Sequence, residues 1–473
     1  MSEYLNITAY SIIYLLAVIA IFIYIIKNRL DILCVGLVCY IVYTMYCFFG
    51  YGISGFYRPH LSATLYYLVY MQLLLITAFL IVVRYKDKTK FLQNTGNDET
   101  SDRAPVSENK ILTKAFYFYT GIIVLFALYN VILVGITGFA EGKANVWEES
   151  NILYIISLYG AYPSFAYGIH MKKKLIWIPS LLVELTIFFA GSRAFFATLI
   201  VIWLCELGTV FWKKKKGNMK IYLLGAGAIV FLLFYRMLDQ AIMNGDISNV
   251  LHLLVDPDAW MESLEFNEPR VIIANYDYVV TSGVRLPLGD IIYRFLDIIP
   301  GLTYIIPIPL EYPPYFSDWL MTQVNGSTGV GGTFWGESFA MFGVLGVLLF
   351  TILWLLFLKL SNDHLNYHKP YSSFIVALGV YLGWYINRLD FNRVGQSIKV
   401  MTLCFLIWGV CYLILGGELR FGKKIKLKFD SKQVINRLTR RLFGREIHFE
   451  NKIKLNFNQN QVINRIMKRF IKK

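Results

Sequence analysis

Eight arginines and only two lysines collect on one face of this chain, in the topology derived below: Arg58, Arg193, Arg236, Arg270, Arg285, Arg294, Arg388 and Arg393, with Lys143 and Lys399. The rest of the chain carries 26 lysines and ten arginines. Arginine presents a planar fork of donors that matches phosphate or carboxylate with two bonds at once, which a lysine cannot reproduce. The bias points to an anionic ligand, and a phosphate fits. For any one arginine the competing reading is an ordinary ion pair, since twelve Asp and Glu lie between 239 and 332. Arg193 stands out, because in "IFFAGSRAFF" it interrupts a stretch from Leu175 to Trp212 whose other charges are Glu184 and Glu206. An arginine at mid-membrane costs about 2.5–3.5 kcal/mol, so it needs a membrane surface or a partner. Gly191 and Ser192 permit a tight reversal that brings Arg193 to the surface at the start of a helix, where the N-terminal potential also favours an anion.

Apolar helices must hold these groups. Of the 473 residues, 56% are hydrophobic and 16% charged, well below the charged fraction of an ordinary soluble protein, which predicts an integral membrane protein. Apolar runs of about 20 residues, the length that crosses a bilayer as a helix, predict eleven spans. They fall near 8–26, 31–49, 62–83, 113–137, 151–170, 175–190, 194–212, 221–238, 333–358, 372–387 and 398–417. The fold class is therefore an all-α polytopic membrane protein. Residues 1–238 form the first eight spans, 239–332 a large extracytoplasmic loop, 333–417 the last three spans and 418–473 a basic tail.

Lysine placement sets the orientation. Every second junction is basic: Lys27 and Arg29, Arg84 to Lys90, Lys172 to Lys174, Lys213 to Lys216, Lys359 and then the tail. With eleven spans these share the cytoplasmic face, which puts the N-terminus outside and the C-terminus inside. No cleavable signal sequence is expected. Residues 418–473 hold 17 Lys and Arg against four Asp and Glu, so nearly all of the formal +15 is local, and a nucleic-acid partner is not expected. The tail repeats itself at 425–443 and 453–470, each copy with an apolar helical face suited to docking on an anionic leaflet. The six cysteines all lie in predicted spans, so disulfides are not expected.

Other motifs carry less chemistry. The external loop is rich in aromatic and aliphatic residues, which predicts order, partly as amphipathic helices at the bilayer interface. In "NGSTGVGGTFWGESFAMFGVLG", from Asn325, the glycines read as small residues that pack helices together. Glu337, near the mouth of a span, is a candidate general base or the partner of an arginine. The Asp256–Asp258 pair and the His364 and His368 spacing read as a proline turn and a polar loop, so no metal or cofactor is expected.

The Gly-Ser-Arg turn, the long external loop and the stretches "SLEFNEPRVI", "RLPLGDIIYRFLDIIPGLTYIIP" and "GGTFWGESFAMFGVLG" resemble the oligosaccharide repeat unit polymerases of Wzy type, over roughly 180–350. The resemblance implies a metal-independent glycosyltransferase at the outer leaflet of a bacterial cytoplasmic membrane. It would move a growing glycan from undecaprenyl diphosphate to a hydroxyl of the next lipid-linked unit, building an O-antigen or capsule. Its partners would be the lipid-linked donor and acceptor, the bilayer, a chain-length regulator and a flippase. Arg193 with Arg270, Arg285 or Arg294, completed by Arg388 or Arg393, would neutralise the diphosphate leaving group. Glu337 first, or Asp318 second, would take the acceptor proton. Trp260, Trp319 and the loop tyrosines would pack against sugar rings. The rival expectations are a flippase for the same lipid-linked units, or an O-antigen ligase.

Overall fold

The computed structural model describes residues 2–27, 31–49, 61–94, 110–140, 142–213, 227, 268–302, 313–323, 333–367, 369–416, 418–421 and 425–428. The expected span at 221–238 apart from Gly227, Arg58, Arg236, the Asp256–Asp258 pair, Trp260, His368 and the apolar helical faces of the tail repeat lie outside them. The chain divides into two compact units, Met1–Tyr412 and Leu413–Lys473.

Helix dominates the larger unit because lipid leaves no other partner for backbone N–H and C=O groups. In order come α1 (Ser2–Lys27), α2 (Ile32–Thr44), α3 (Tyr46–Phe49), α4 (Ala63–Asn94), α5 (Lys110–Ala140), α6 (Lys143–Glu149), α7 (Ile152–His170), α8 (Lys174–Phe189) and α9 (Arg193–Lys213). Further along the chain, α10 (Glu268–Ser282), α11 (Leu288–Asp297) and α12 (Phe316–Gln323) follow. Then come α13 (Phe334–Asp363), α14 (Ser372–Tyr385) and α15 (Phe391–Ile414), with a 3-10 turn at Ile386–Arg388.

Among the described residues, Ala63–Val83 of α4, Lys110–Gly135 of α5, and α7, α13 and α15 are long and apolar enough to cross a membrane, and Ile12–Tyr24 and α2 are shorter apolar helices. This is a helical integral membrane protein. Its helices are apolar around most of their circumference, and large side chains such as Ile132, Leu175, Phe189 and Leu345 stay exposed, as lipid-facing residues must. Some polar groups inside the bundle are paired across helices. Tyr40 of α2 donates to Gln72 of α4 at 3.0 Å, and Gln72 donates to Thr351 of α13 at 3.0 Å.

Side-chain caps stop the apolar runs at defined points. Asp31 accepts from the Cys34 N–H at the start of α2, and Asn151 accepts from Leu153 and Tyr154 at the start of α7. Between α8 and α9 the Gly191 N–H bonds to the Phe188 carbonyl and the Ser192 N–H to the Ile187 carbonyl. That paired pattern requires a left-handed residue, and Gly191 sits at φ 90°.

Polar contacts mark two ends of the bundle. At one, Asn362 donates to Asp31 at 2.8 Å, and Glu206 accepts from Tyr367 at 2.6 Å beside His170. At the other, Ser62 bonds to Asp277, Ser317 to Asp390 and the Phe391 N–H to Glu337. Lysine placement separates these same two sets of junctions.

The smaller unit departs from the all-α expectation. β1 (Glu418–Phe421) and β2 (Ile425–Lys428) form an antiparallel ribbon, so the first residues of the first tail repeat are strand. The residues alternate with a period of two, which pairs Leu419 with Leu427, Phe421 with Ile425 and Glu418 with Lys428.

Candidate functional site

The stretch after Thr333 sets the geometry of the lysine-poor end. Thr333 accepts from the Gly336 N–H and so starts α13, which breaks nine residues later at Gly343, φ 64° and ψ −147°. Only glycine adopts that conformation readily. A Cβ at Gly346 would run into the carbonyl of Ser338, so the second half of the helix also needs glycine to pass the first. Gly343 and Gly346, expected to pack helices together, instead divide one.

A break in a helix at membrane depth leaves carbonyls that must find donors. Here Arg285 Nη1 donates to the Phe339 carbonyl at 2.9 Å and the Leu286 N–H to the Ala340 carbonyl at 3.0 Å. The guanidinium also lies 4.6 Å from the Phe339 ring centre. Arg285 therefore caps the half-helix, with a cation at its negative end.

Glu337 lies in the first turn of that half-helix and is fully buried. Arg294, 2% exposed on α11, brings Nη1 to 2.8 Å from Glu337 Oε1 and donates Nη2 to the Pro314 carbonyl at 3.0 Å. The ion contact lies off the N–H direction, so charge attraction rather than an aligned hydrogen bond holds it. The other carboxylate oxygen accepts the N–H of Phe391. The geometry thus pairs Glu337 with an arginine and closes it off from solvent.

Three other arginines converge elsewhere. Arg193 opens α9, Arg388 closes the 3-10 turn after α14, and Arg393 lies in the first turn of α15. Tyr385, at the end of α14, lies within electrostatic reach of all three and of Glu268. Arg388 contacts Glu268 at 2.7 Å, both about one-third exposed, and Glu268 also accepts from Tyr43 at 2.9 Å. Burial opposes the charge on Arg388, yet Tyr385 and Glu268 hold its pKa above the ordinary arginine value. Arg393 is half exposed, 3.8 Å from Asp390 and 5.4 Å from the centre of the Tyr315 ring. Beneath lies a column of buried aromatic groups: Tyr159 bonds to Tyr381 at 3.2 Å and Ser397 at 3.0 Å, and Tyr162 stacks on Tyr381 and Phe195.

The expected site residues thus fall into separate groups. Arg193, Arg388 and Arg393 lie within electrostatic reach of Tyr385, with the Arg388 guanidinium 5.6 Å from its ring centre. Arg285, Arg294 and Glu337 build the half-helix of α13, and Arg270 is buried in the first turn of α10. Asp318 is exposed on α12, and its N–H bonds to the carbonyl of Tyr315, the residue under Arg393. Among the described residues no three His, Cys, Asp or Glu side chains gather at metal-ligating distance. Comparison with protein-family models, with curated proteins and with solved structures finds no match.

Sequence reasoning missed Tyr385, Glu268 and Asp390. Asp390 carried a local signal: in "NRLDFNRVG" an aspartate three residues before Arg393 is a helix N-cap, and its Oδ1 accepts the Arg393 N–H at 2.8 Å. Its buried carboxylate also accepts from Ser317 at 2.9 Å, which ties α12 to the start of α15. Nothing local marked Tyr385.

Proposed function

We propose that this protein polymerises polyprenyl-diphosphate-linked oligosaccharide units at the outer leaflet, with eleven spans, the N-terminus outside and the C-terminus in the cytoplasm. The observation that carries the reading is that Arg193, Arg388 and Arg393, from three separate elements, all lie within electrostatic reach of Tyr385. Two carboxylates contact this group, Glu268 at Arg388 and Asp390 at Arg393, and the position is partly exposed. Forked donors from three elements suit a diphosphate.

In this reading an acceptor hydroxyl oxygen attacks the anomeric carbon of the donor glycan. The bond from that carbon to the diphosphate breaks, and the lipid diphosphate leaves with the electron pair. The arginines stabilise the charge that develops there, acting as fixed cations that need no reorganisation during the step. The acceptor proton passes to a carboxylate. Asp318 suits that task because it is exposed and one turn from Tyr315, whereas the fully buried Glu337 suits positioning α11 and α15.

One observation favours a flippase for the same lipids instead: transporter sites are commonly built on discontinuous helices, and α13 is broken at Gly343. Deleting the gene and sizing both the surface glycan and its lipid-linked precursors separates the two. Loss of a polymerase leaves single repeat units exported but unextended. Accumulation of unflipped units on the cytoplasmic side would reject the polymerase reading.

A further inference from the structure

Helix α11 turns its apolar side away from the protein. Leu288, Ile292 and Phe295 follow one another at helical spacing, with Ile299 two residues past the helix end, and they are 70%, 45%, 40% and 53% exposed. Ile291, on the flank of this stripe, and Arg294, on the far side, are buried. The helix cannot roll to hide the stripe, because three attachments fix its rotation. Arg294 holds Glu337 and the Pro314 carbonyl, the Leu286 N–H just before the helix holds the Ala340 carbonyl, and Ile298 just after it packs against Gly395.

The depth of this helix follows from its neighbour. From 344 to 358 the second part of α13 is an unbroken apolar helix of roughly 22 Å at 1.5 Å per residue, shorter than the roughly 30 Å of a hydrocarbon core, and Lys359, Asn362 and Asp363 follow it. With the polar end at Lys359 set at one face of that core, the break at Gly343 lies inside the opposite, outer leaflet. Phe295 of α11 meets Phe342, the residue before the break, at 6.5 Å between ring centres. Phe342, Val344 and Leu345 are themselves 44%, 39% and 75% exposed, so the α11 stripe continues the lipid-facing surface of α13 without interruption.

We infer that α11 is a membrane-interface helix whose Leu288, Ile292 and Phe295 side chains, with Ile299 just beyond its end, insert among the acyl chains of the outer leaflet. The occupant of this face is bilayer lipid. Burying four large apolar side chains there supplies the hydrophobic stabilisation that the protein interior does not. Because Arg294 projects from the buried side of the same helix, the membrane surface also sets where the half-helix of α13 stands. This inference does not depend on the polymerase reading, since it concerns a different surface from the Tyr385 cluster.

The test is a nitroxide spin label on full-length protein in phosphatidylethanolamine–phosphatidylglycerol vesicles. Labels go on Ile292→Cys and Ile299→Cys, with Leu345→Cys as the lipid reference and Asp363→Cys, 61% exposed, as the aqueous reference. Five of the six native cysteines are buried, and label on the unsubstituted protein supplies the background. Collisions with oxygen should exceed collisions with a water-soluble nickel chelate at 292 and 299, as at 345. An excess of nickel collisions, as at 363, would put the stripe in water and overturn the inference. Low accessibility to both reagents would mean a protein cover, from this chain or a second copy, and would overturn it equally. If Ile292→Cys does not fold, Ile299→Cys reads the same stripe.

Discussion

Arg294 and Glu337 meet at 2.8 Å with almost no exposure, and through this contact α11, the broken helix α13 and the start of α15 become one unit. Glu337 receives charge from α11 on one oxygen and the Phe391 N–H on the other. Removing one partner of a buried ion pair costs about 3–5 kcal/mol, because the remaining charge is left uncompensated. Arg294→Met and Glu337→Gln should each lower the thermal unfolding temperature strongly in detergent. The double substitution Arg294→Met with Glu337→Leu should recover most of that loss. Additive losses in the double variant would show that the pair is not coupled.

Gly343 holds a backbone conformation that a side chain makes strained. Gly343→Ala should destabilise by about 1–3 kcal/mol, read as a drop in melting temperature, while Gly121→Ala, where a Cβ meets nothing within 4 Å, should not.

Glu184 is fully buried in α8, and neither carboxyl oxygen has a hydrogen-bond partner among the described residues. An unsatisfied buried polar group costs roughly 1–3 kcal/mol. Glu184→Met, close in volume and apolar, should therefore raise the melting temperature. A fall would show that the carboxyl has a partner in the folded protein.

The three arginines around Tyr385 should behave alike and unlike Arg285. Arg193→Ala, Arg388→Ala and Arg393→Ala should each reduce glycan chain extension by about 10²–10³-fold at normal protein level, the usual effect of removing one donor from a site of developing charge. Arg193→Lys should fail as well, since it keeps the charge but loses the fork. Arg285→Ala should instead reduce the amount of folded protein, because it uncaps the half-helix.

Asp318→Asn should reduce chain extension by about 10²–10⁴-fold, the ordinary contribution of a general base, with the melting temperature unchanged because the side chain is exposed. A wild-type chain-length distribution would remove Asp318 from the mechanism.

Hydropathy, lysine placement and local turn chemistry were legible in the sequence for a simple reason: each depends on neighbouring residues alone. The helices of the described spans, the Gly191 reversal that puts Arg193 at a helix start, and the two ends of the bundle all follow from them. The bias towards arginine was legible too. What each arginine does was not, because these helices are apolar around most of their circumference and no periodicity tells which side meets which neighbour. Arg294 reaches Glu337 and Arg388 reaches Glu268 across large sequence separations, and only the packing of helices brings them together. The glycines of "FGVLG" show the same division. Small residues are compatible with close packing or with a broken helix, and only the positive φ at Gly343, capped by Arg285 and Leu286 from another segment, decided between them.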